Sequence, residues 1–488
     1  MKNGIFKDVS VITASKITSA LIAFANTALL SRFRTLTEYG TYAQMILAIS
    51  LVITMCNLGL PYAVTFFGSK ADNFRDRNHF FSVFYTIDTV LSVAIGVIML
   101  AVTPLLSLYF KNDSFGLYWY FLLTYPWVRM IDSTLENALV IAQKTIWIAV
   151  YRLIYGVSSC LIVVIIKAIG LGFSEYLMAY TVLLGVLTLT AYVLVSKAFG
   201  KLRFAFDAAL LKKILRYAIP VGLASAVGTI NIEFDKLVIG RACTTEELAV
   251  YTNAAKPLPV GLIATAINMV ILPLIVRKIA EQKRGDAIHL WNRSIKIALD
   301  IISALALALI VFSPEVMTFI YSEKYVSGSG IFAIYCGAYL LECTYWGTML
   351  NATGNTKYIF YSSLISCVTN VVLDIVLYRL LGIIGPAIAT VFSQLVLVSM
   401  QVLFSKKVLN IKSVVSIAPL AKVLLRNIVI ACPFAVLFIW LKNAISMNAV
   451  LLAFVVGGAW TVVYALLMGK RIYREFGTLS IDNEALEE

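Results

Sequence analysis

The chain has 488 residues, of which 60% are hydrophobic and only 14% charged. Soluble domains run near about 45–50% apolar and about 25% charged, so this composition excludes a water-soluble globular protein and points to an integral membrane protein. The formal net charge of +14 raises nucleic-acid binding as a reading, but the placement of the basic residues follows membrane topology instead.

A helical span needs about 20 apolar residues to cross about 30 Å of hydrocarbon. Runs of this kind predict helices near 8–30, 42–67, 81–104, 117–139, 147–167, 175–196, 214–240, 247–274, 290–312, 329–350, 358–378, 386–405, 423–442 and 449–468. Barrel strands would be about 9–11 residues with alternating polarity, and these runs are too long and too evenly apolar. The expected class is all-α and polytopic, with about fourteen transmembrane helices.

Along the chain, span one carries Lys16 in a narrow stripe with Thr13 and Ser19 or Ala20. It lacks a convincing cleavage site and is expected to stay as a signal-anchor. Span three carries Asp88. Span four carries Arg129, Asp132 and Glu136 at i, i+3 and i+7, a spacing that puts all three on one helix face with Tyr125. Its start, "LYWYFLLTYPW", is rich in aromatics, which fit either the membrane interface or stacking on sugar rings. Span seven opens with small residues and Pro220, which can bend it, and carries Glu233, Asp235 and Lys236. There Glu233 and Lys236 lie one turn apart, and Asp235 falls on another face with Asn231 and Gly228. Span eight opens "NAAKPLP", where Pro257 and Pro259 after Lys256 break the helix ladder. Asp300, Glu342 and Asp374 stand singly in spans nine, ten and eleven.

With the N-terminus assigned to the cytoplasm, about 28 of the 40 Lys and Arg fall on the cytoplasmic side, the bias expected of positive-inside topology. The clusters at 197–216, 277–284 and 406–412 are read as topology signals rather than as lipid or nucleic-acid sites. An even number of spans returns the acidic tail "IDNEALEE" to the same side. Seven scattered cysteines form no CxxC and read as small apolar residues. His79 and His289, the only histidines, lie in predicted loops. No catalytic residue, metal ligand set or cofactor motif is expected.

The connector "SRFRTLTEYGTY" at 31–42 recurs as "GRACTTEELAVY" at 240–251, matching Arg32 with Arg241, Thr35 with Thr244, Glu38 with Glu247 and Tyr42 with Tyr251. "NALVIAQKTIW" and "MLNATGNTKYI" correspond after spans four and ten, as do "AIGLGFSEY" and "RLLGIIGPAI" after spans five and eleven. Spans one to six therefore repeat as seven to twelve. Six is even, so the repeat is parallel, about an axis along the membrane normal. The expected organisation is an N-terminal lobe at 1–196, a basic cytoplasmic linker at 197–213 and a C-terminal lobe at 214–405. Two appended helices at 406–468 and a cytoplasmic tail at 469–488 follow.

"LLSRFRTLTEYGTYAQ" and "DKLVIGRACTTEELAVYTNAAK" resemble the bacterial polysaccharide flippases of the multidrug/oligosaccharidyl-lipid/polysaccharide exporter superfamily. The resemblance covers essentially the whole chain. It implies two six-helix lobes in a V in the bacterial cytoplasmic membrane. It also implies movement of an undecaprenyl-diphosphate-linked sugar between leaflets, with membrane lipid around the protein and a polysaccharide polymerase as a conceivable partner. Such a cargo needs cations for its phosphates and a wet path for its sugar. Lys16, Arg129, Lys236 and Lys256 are the candidate phosphate ligands. Asp132, Glu136, Glu233 and Asp235 are candidates to compensate them or to take up a driving H⁺ or Na⁺. Each charge has a plainer alternative as a buried pair fixing helix register. No P-loop is present, so an ion gradient or the membrane potential is the expected energy source. Rival readings are a peptidoglycan-precursor flippase or a cation-coupled drug exporter of the same fold. A membrane-embedded polymerase or glycosyltransferase is the rival of another class, and the short predicted outside connectors argue against it.

Overall fold

The repeated connector folds into the same helix cap twice. Thr35 Oγ1 accepts the backbone N–H of Glu38 at 3.2 Å, and Glu38 Oε2 accepts the N–H of Thr35 at 2.9 Å. Thr244 and Glu247 repeat the pattern at 3.2 and 2.8 Å. This is a capping box, which satisfies two backbone donors that a helix start otherwise leaves open. The Thr and Glu of the connector are thus required by the way two long helices must turn back into the membrane.

The fold is described from a computed structural model over residues 2–484, apart from 58, 71–72, 257 and 259. Side chains at 2–13, 224 and 476–484 lie outside the described set, Thr13 included. The described residues form helices and no strands. In order, the helices are α1 (Lys2–Phe33), α2 (Leu36–Cys56), α3 (Leu60–Gly68), α4 (Phe74–Phe110), α5 (Trp119–Ile141) and α6 (Thr145–Ile169). They continue as α7 (Phe173–Phe199), α8 (Ala208–Ala242), α9 (Thr245–Ala254), α10 (Gly261–Ala280), α11 (Arg284–Val311) and α12 (Ser313–Ile320). The last six are α13 (Ser329–Ala338), α14 (Thr348–Ala352), α15 (Lys357–Leu381), α16 (Gly385–Leu409), α17 (Ile417–Ala444) and α18 (Ala449–Glu484). Among the described residues, ten helical segments are long and apolar enough to cross a membrane. One of these, Lys357–Leu409, contains both α15 and α16 around a short 3-10 turn. α5 is not among the ten; it holds Arg129, Asp132 and Glu136 from its middle onward.

Three of the apolar runs are broken. The second becomes α2 and α3, hinged at Gly59, whose φ of 74° suits glycine alone at little cost. The eighth stops at Ala254 and resumes at Gly261, with Lys256 in the gap. Pro257 and Pro259, to which the break was assigned, lie outside the described residues. The tenth divides into α13 and α14 around residues 339–347. Pro220, by contrast, sits inside an unbroken α8.

Other parts of the repeat fold alike. A 3-10 turn, Asp113–Tyr118, precedes α5, and another, Glu323–Gly328, precedes α13. Left-handed residues follow α5 at Gln143 and α14 at Gly354, then α6 at Gly170 and α15 at Gly382. Each pair sits at nearly the same offset as the capping boxes.

By contacts the chain divides into Met1–Ala249 and Val250–Glu488. In the first unit, α1 packs along α6, α4 along α5, α5 along α7, and α8 against α2, α3 and α4. The two connector copies meet there. Thr37 Oγ1 donates to Glu246 Oε1 at 2.6 Å, and Gln44 Nε2 to Thr245 Oγ1 at 3.3 Å. Gly40 permits this approach, because a Cβ there would stand 2.2 Å from the carbonyl oxygen of Thr245. The segment between α7 and α8 is zipped along one face of α4. Asn78 donates to the carbonyls of Phe199 and Lys201, while Ser82 and Thr86 accept the N–H groups of Arg203 and Ala205.

In the second unit, α15 packs along α16, α10 along α11, and α17 along α11 and α18. The last two helices close an apolar core of Phe312, Ala431, Phe438, Leu452, Val456 and Trp460. Ion pairs tie them down as well: Asp300 to Arg426, Glu315 to Lys442 at 2.6 Å, and Lys296 to Glu475 at 3.0 Å.

Candidate substrate-binding site

α5 buries Leu122, Val128, Ile131, Leu135 and Leu139 against its neighbours. The face carrying Arg129, Asp132 and Glu136 stays open: Arg129 is exposed, and the two acids are half-buried. A charge held at the centre of a span costs about 2.5–3.5 kcal/mol on insertion scales, so such groups face water or a partner.

Glu136 has partners. Its Oε1 lies 3.0 Å from Lys16 Nζ of α1, and its Oε2 is held by Arg152 of α6. This explains how α1, α5 and α6 are drawn together at one level. Arg152 was not singled out from the sequence; in the fifth run it is the one charge away from the end, where Lys167 is the last residue, and that isolation was the available signal. Arg129 and Asp132 lie a turn apart, yet neither forms an ion pair among the described residues. The two charges still act on each other electrostatically across that turn.

Tyrosines lie near the guanidinium. Tyr125 of α5, Tyr155 of α6 and Tyr180 of α7 are near enough to act on Arg129 electrostatically. Tyr180 lies near Tyr155 and Tyr42 of α2, and it stacks on Tyr176 with centroids 5.7 Å apart. The aromatic run at 117–127 thus divides. Trp119 points outward, 55% exposed, while Tyr125 joins this wall. The group as a whole holds three cations, Lys16, Arg129 and Arg152, against two carboxylates, Asp132 and Glu136. An unshared guanidinium fork in such a setting suits a phosphate oxyanion, which it can grip through two parallel hydrogen bonds.

The remaining candidates behave differently. On α8, Lys236 Nζ binds Glu233 Oε2 at 2.7 Å, the one-turn pairing expected from spacing. Asp235 is buried at 3% exposure, and its Oδ1 accepts the N–H of Lys236 at 2.7 Å. Lys256, half-buried in the helix break, belongs to the second unit. The fold brings Lys16, Arg129, Asp132 and Glu136 into one cluster and makes Glu233 with Lys236 a local pair. Of the single acids, Asp88 is fully buried and accepts a hydrogen bond from Thr134 at 3.3 Å. Asp300 is bound by Arg426, which fits a structural role, and Glu342 accepts from Gln394 at 2.8 Å. Among the described residues no group of acids, histidines and cysteines could hold a metal ion.

The comparisons with known proteins agree with this architecture. Residues 29–329 match the family described as polysaccharide biosynthesis protein. Over 211 residues, or 43% of the chain, the sequence is 22% identical to the capsular polysaccharide biosynthesis protein CapF of Staphylococcus aureus. Over 127 residues, or 25% of the chain, it is 30% identical to the probable lipid II flippase MurJ of Rhizobium tropici. These matches span 53% and 23% of the two relatives' own lengths, less than two thirds of either. The fold is similar to a solved structure titled lipid II flippase MurJ, inward closed conformation. That match has a TM-score of 0.75 at 17% identity and covers 94% of this chain and 99% of the other. On the family match, which covers more than half of its residues, the chain belongs to the polysaccharide biosynthesis protein family.

Proposed function

We propose that this protein is a flippase that moves an undecaprenyl-diphosphate-linked oligosaccharide repeat unit across the bacterial cytoplasmic membrane by alternating access. The lobes at 1–196 and 214–405 are the moving bodies in this reading, and both termini are cytoplasmic. The observation that carries it is Arg129: an exposed guanidinium in a membrane helix, without an ion-pair partner among the described residues, inside a wall of tyrosines. Its free hydrogen-bonding fork suits the diphosphate, and the tyrosine faces suit sugar rings. Lys16 and Arg152 add positive charge and are held in reserve by Glu136. Lys236 and Lys256 serve as further contacts as the head group passes. Asp132 and Asp235 take up the driving H⁺ or Na⁺, with Glu233 as the counter-charge of Lys236.

The test is reconstitution. Purified protein in vesicles is given a polyprenyl-diphosphate oligosaccharide with a fluorescent sugar, and access of the sugar to an external quencher is followed. The expected result is protein-dependent flipping that falls at least tenfold in Arg129→Ala. Equal flipping without the protein, or with the variant, overturns the reading. Preference for the peptidoglycan precursor over oligosaccharide carriers would transfer the same site to that cargo, whose diphosphate is chemically alike.

A further inference from the structure

A large apolar groove in the second unit plays no part in the reading above. It has a volume of about 1040 Å³ and lies between α11, α13, α16 and α17. Leu299, Ile334, Val391, Leu395, Val398 and Leu424 are typical of its walls. Along α16 the lining residues recur at 388, 391, 395, 398, 402 and 406, one face of a helix. That face ends in a lysine. Lys406, in the last turn of α16, and Lys412, just beyond the helix, both line the same end of the groove. Both are exposed, and neither has an ion-pair partner among the described residues.

The groove is separate from the polar interior. Residues 341–346, which break the tenth run, form the partition. Leu341, Cys343 and Trp346 face the groove, whereas Glu342, Thr344 and Tyr345 line a different, polar cavity of about 440 Å³ with Asn268. Apart from Ser399, Ser413 and the two lysines, a large sugar head would meet only apolar walls in the groove. A hydrocarbon chain would, by contrast, be covered along its length, with two free cations at its head.

We propose that this groove is a binding site for an anionic membrane phospholipid, its chains lying along α16 and its phosphate held by Lys406 and Lys412. The volume lies at the upper end of the about 300–1,000 Å³ of small-molecule pockets, and basic pockets between membrane helices suit anionic head groups. The lipid would brace α17 against α13 and α16, filling a space that no side chain fills. This site stands apart from the transport reading and needs no transport to be detected.

The experiment is native mass spectrometry of the full chain in detergent, titrated separately with phosphatidylglycerol, phosphatidylethanolamine and undecaprenyl phosphate. One tight phosphatidylglycerol is expected, weakened about thirtyfold in Lys406→Ala/Lys412→Ala, at about fivefold per lysine near a lipid surface. It should be lost in Leu395→Trp, which fills the groove. Phosphatidylethanolamine should bind less tightly and respond less to loss of the lysines. Unchanged phosphatidylglycerol binding in the double lysine variant overturns the proposal. So does selective loss of undecaprenyl phosphate binding in the variants, which would make the groove a cargo-tail site. If Leu395→Trp does not fold, the lysine variant decides alone, because both lysines are exposed and unpaired.

Discussion

Replacing Arg129 with alanine separates a binding role from a structural one. Arg129 forms no ion pair among the described residues and is exposed, so its loss breaks no direct contact and, once Asp132 is neutralised as well, should leave the melting temperature nearly unchanged. Surface-like substitutions of this kind fall within about 0.5 kcal/mol. The loss in cargo affinity should be larger. A hydrogen bond to a charged group contributes about 1.5–3 kcal/mol, which is roughly a 10- to 150-fold change in affinity. Arg129→Lys keeps the charge but not the fork, so an intermediate loss is expected. Asp132, one turn away, gains net negative influence when Arg129 is removed, and Arg129→Ala/Asp132→Asn corrects for this. The assay is equilibrium binding of a polyprenyl-diphosphate oligosaccharide to purified protein, beside a thermal melt of each variant. Affinity within twofold of wild type in Arg129→Ala would refute the reasoning. So would a collapse in stability, since it would make Arg129 a structural residue.

Other consequences follow from contacts elsewhere in the fold. Thr35→Ala and Thr244→Ala each remove a cap and should cost about 0.5–2 kcal/mol, read as similar falls in denaturation midpoint for the two copies. Asp300→Ala leaves Arg426 uncompensated beside a buried helix contact, and loss of about 3–5 kcal/mol is the usual result for one partner of a buried pair. Limited proteolysis should then release α17 and α18 first. The hydrogen bond from Thr37 holds the Glu246 carboxyl below its ordinary value. A depressed carboxyl contributes stability above its unfolded pKa, about 4.3 for glutamate, and loses it as acid protonates the folded form. The stability difference between wild type and Thr37→Val should therefore be constant near neutral pH and shrink below about pH 4; a constant difference into acid would contradict the contact.

The sequence made the helices legible because a bilayer imposes a length and a polarity that a run of residues either meets or does not. The connector was legible because a capping box is a local pattern of two side chains and two backbone groups. The breaks were less so. Asn57, Gly59 and Pro61 did mark the hinge between α2 and α3, but inside an apolar run their turn chemistry was outweighed by hydropathy. Residues 339–347 hold no proline, and they are held by tertiary contacts such as Trp291 Nε1 donating to Thr344 Oγ1 at 3.3 Å and Gln394 Nε2 to Glu342 Oε1 at 2.8 Å. In the site, the i, i+3, i+7 spacing on α5 gave the face but not what it meets. That Glu136 meets Arg152 on α6, while Arg129 lies within electrostatic range of tyrosines on α6 and α7, depends on how helices pack. Tyr151 with Tyr155 and Tyr176 with Tyr180 each show a one-turn spacing. Each pair marks a stripe on its own helix, and the stripes become a wall only when four helices converge.

The central claim is that the cluster on α1, α5 and α6 holds the diphosphate of the cargo. A polyprenyl-diphosphate oligosaccharide with a photoreactive group beside the phosphates, activated on the reconstituted protein and mapped by mass spectrometry, tests it most directly. Adducts on peptides containing Lys16, Arg129 or Arg152, suppressed by excess unlabelled cargo, are the predicted result. Competed adducts confined to peptides outside α1, α5 and α6 would contradict it.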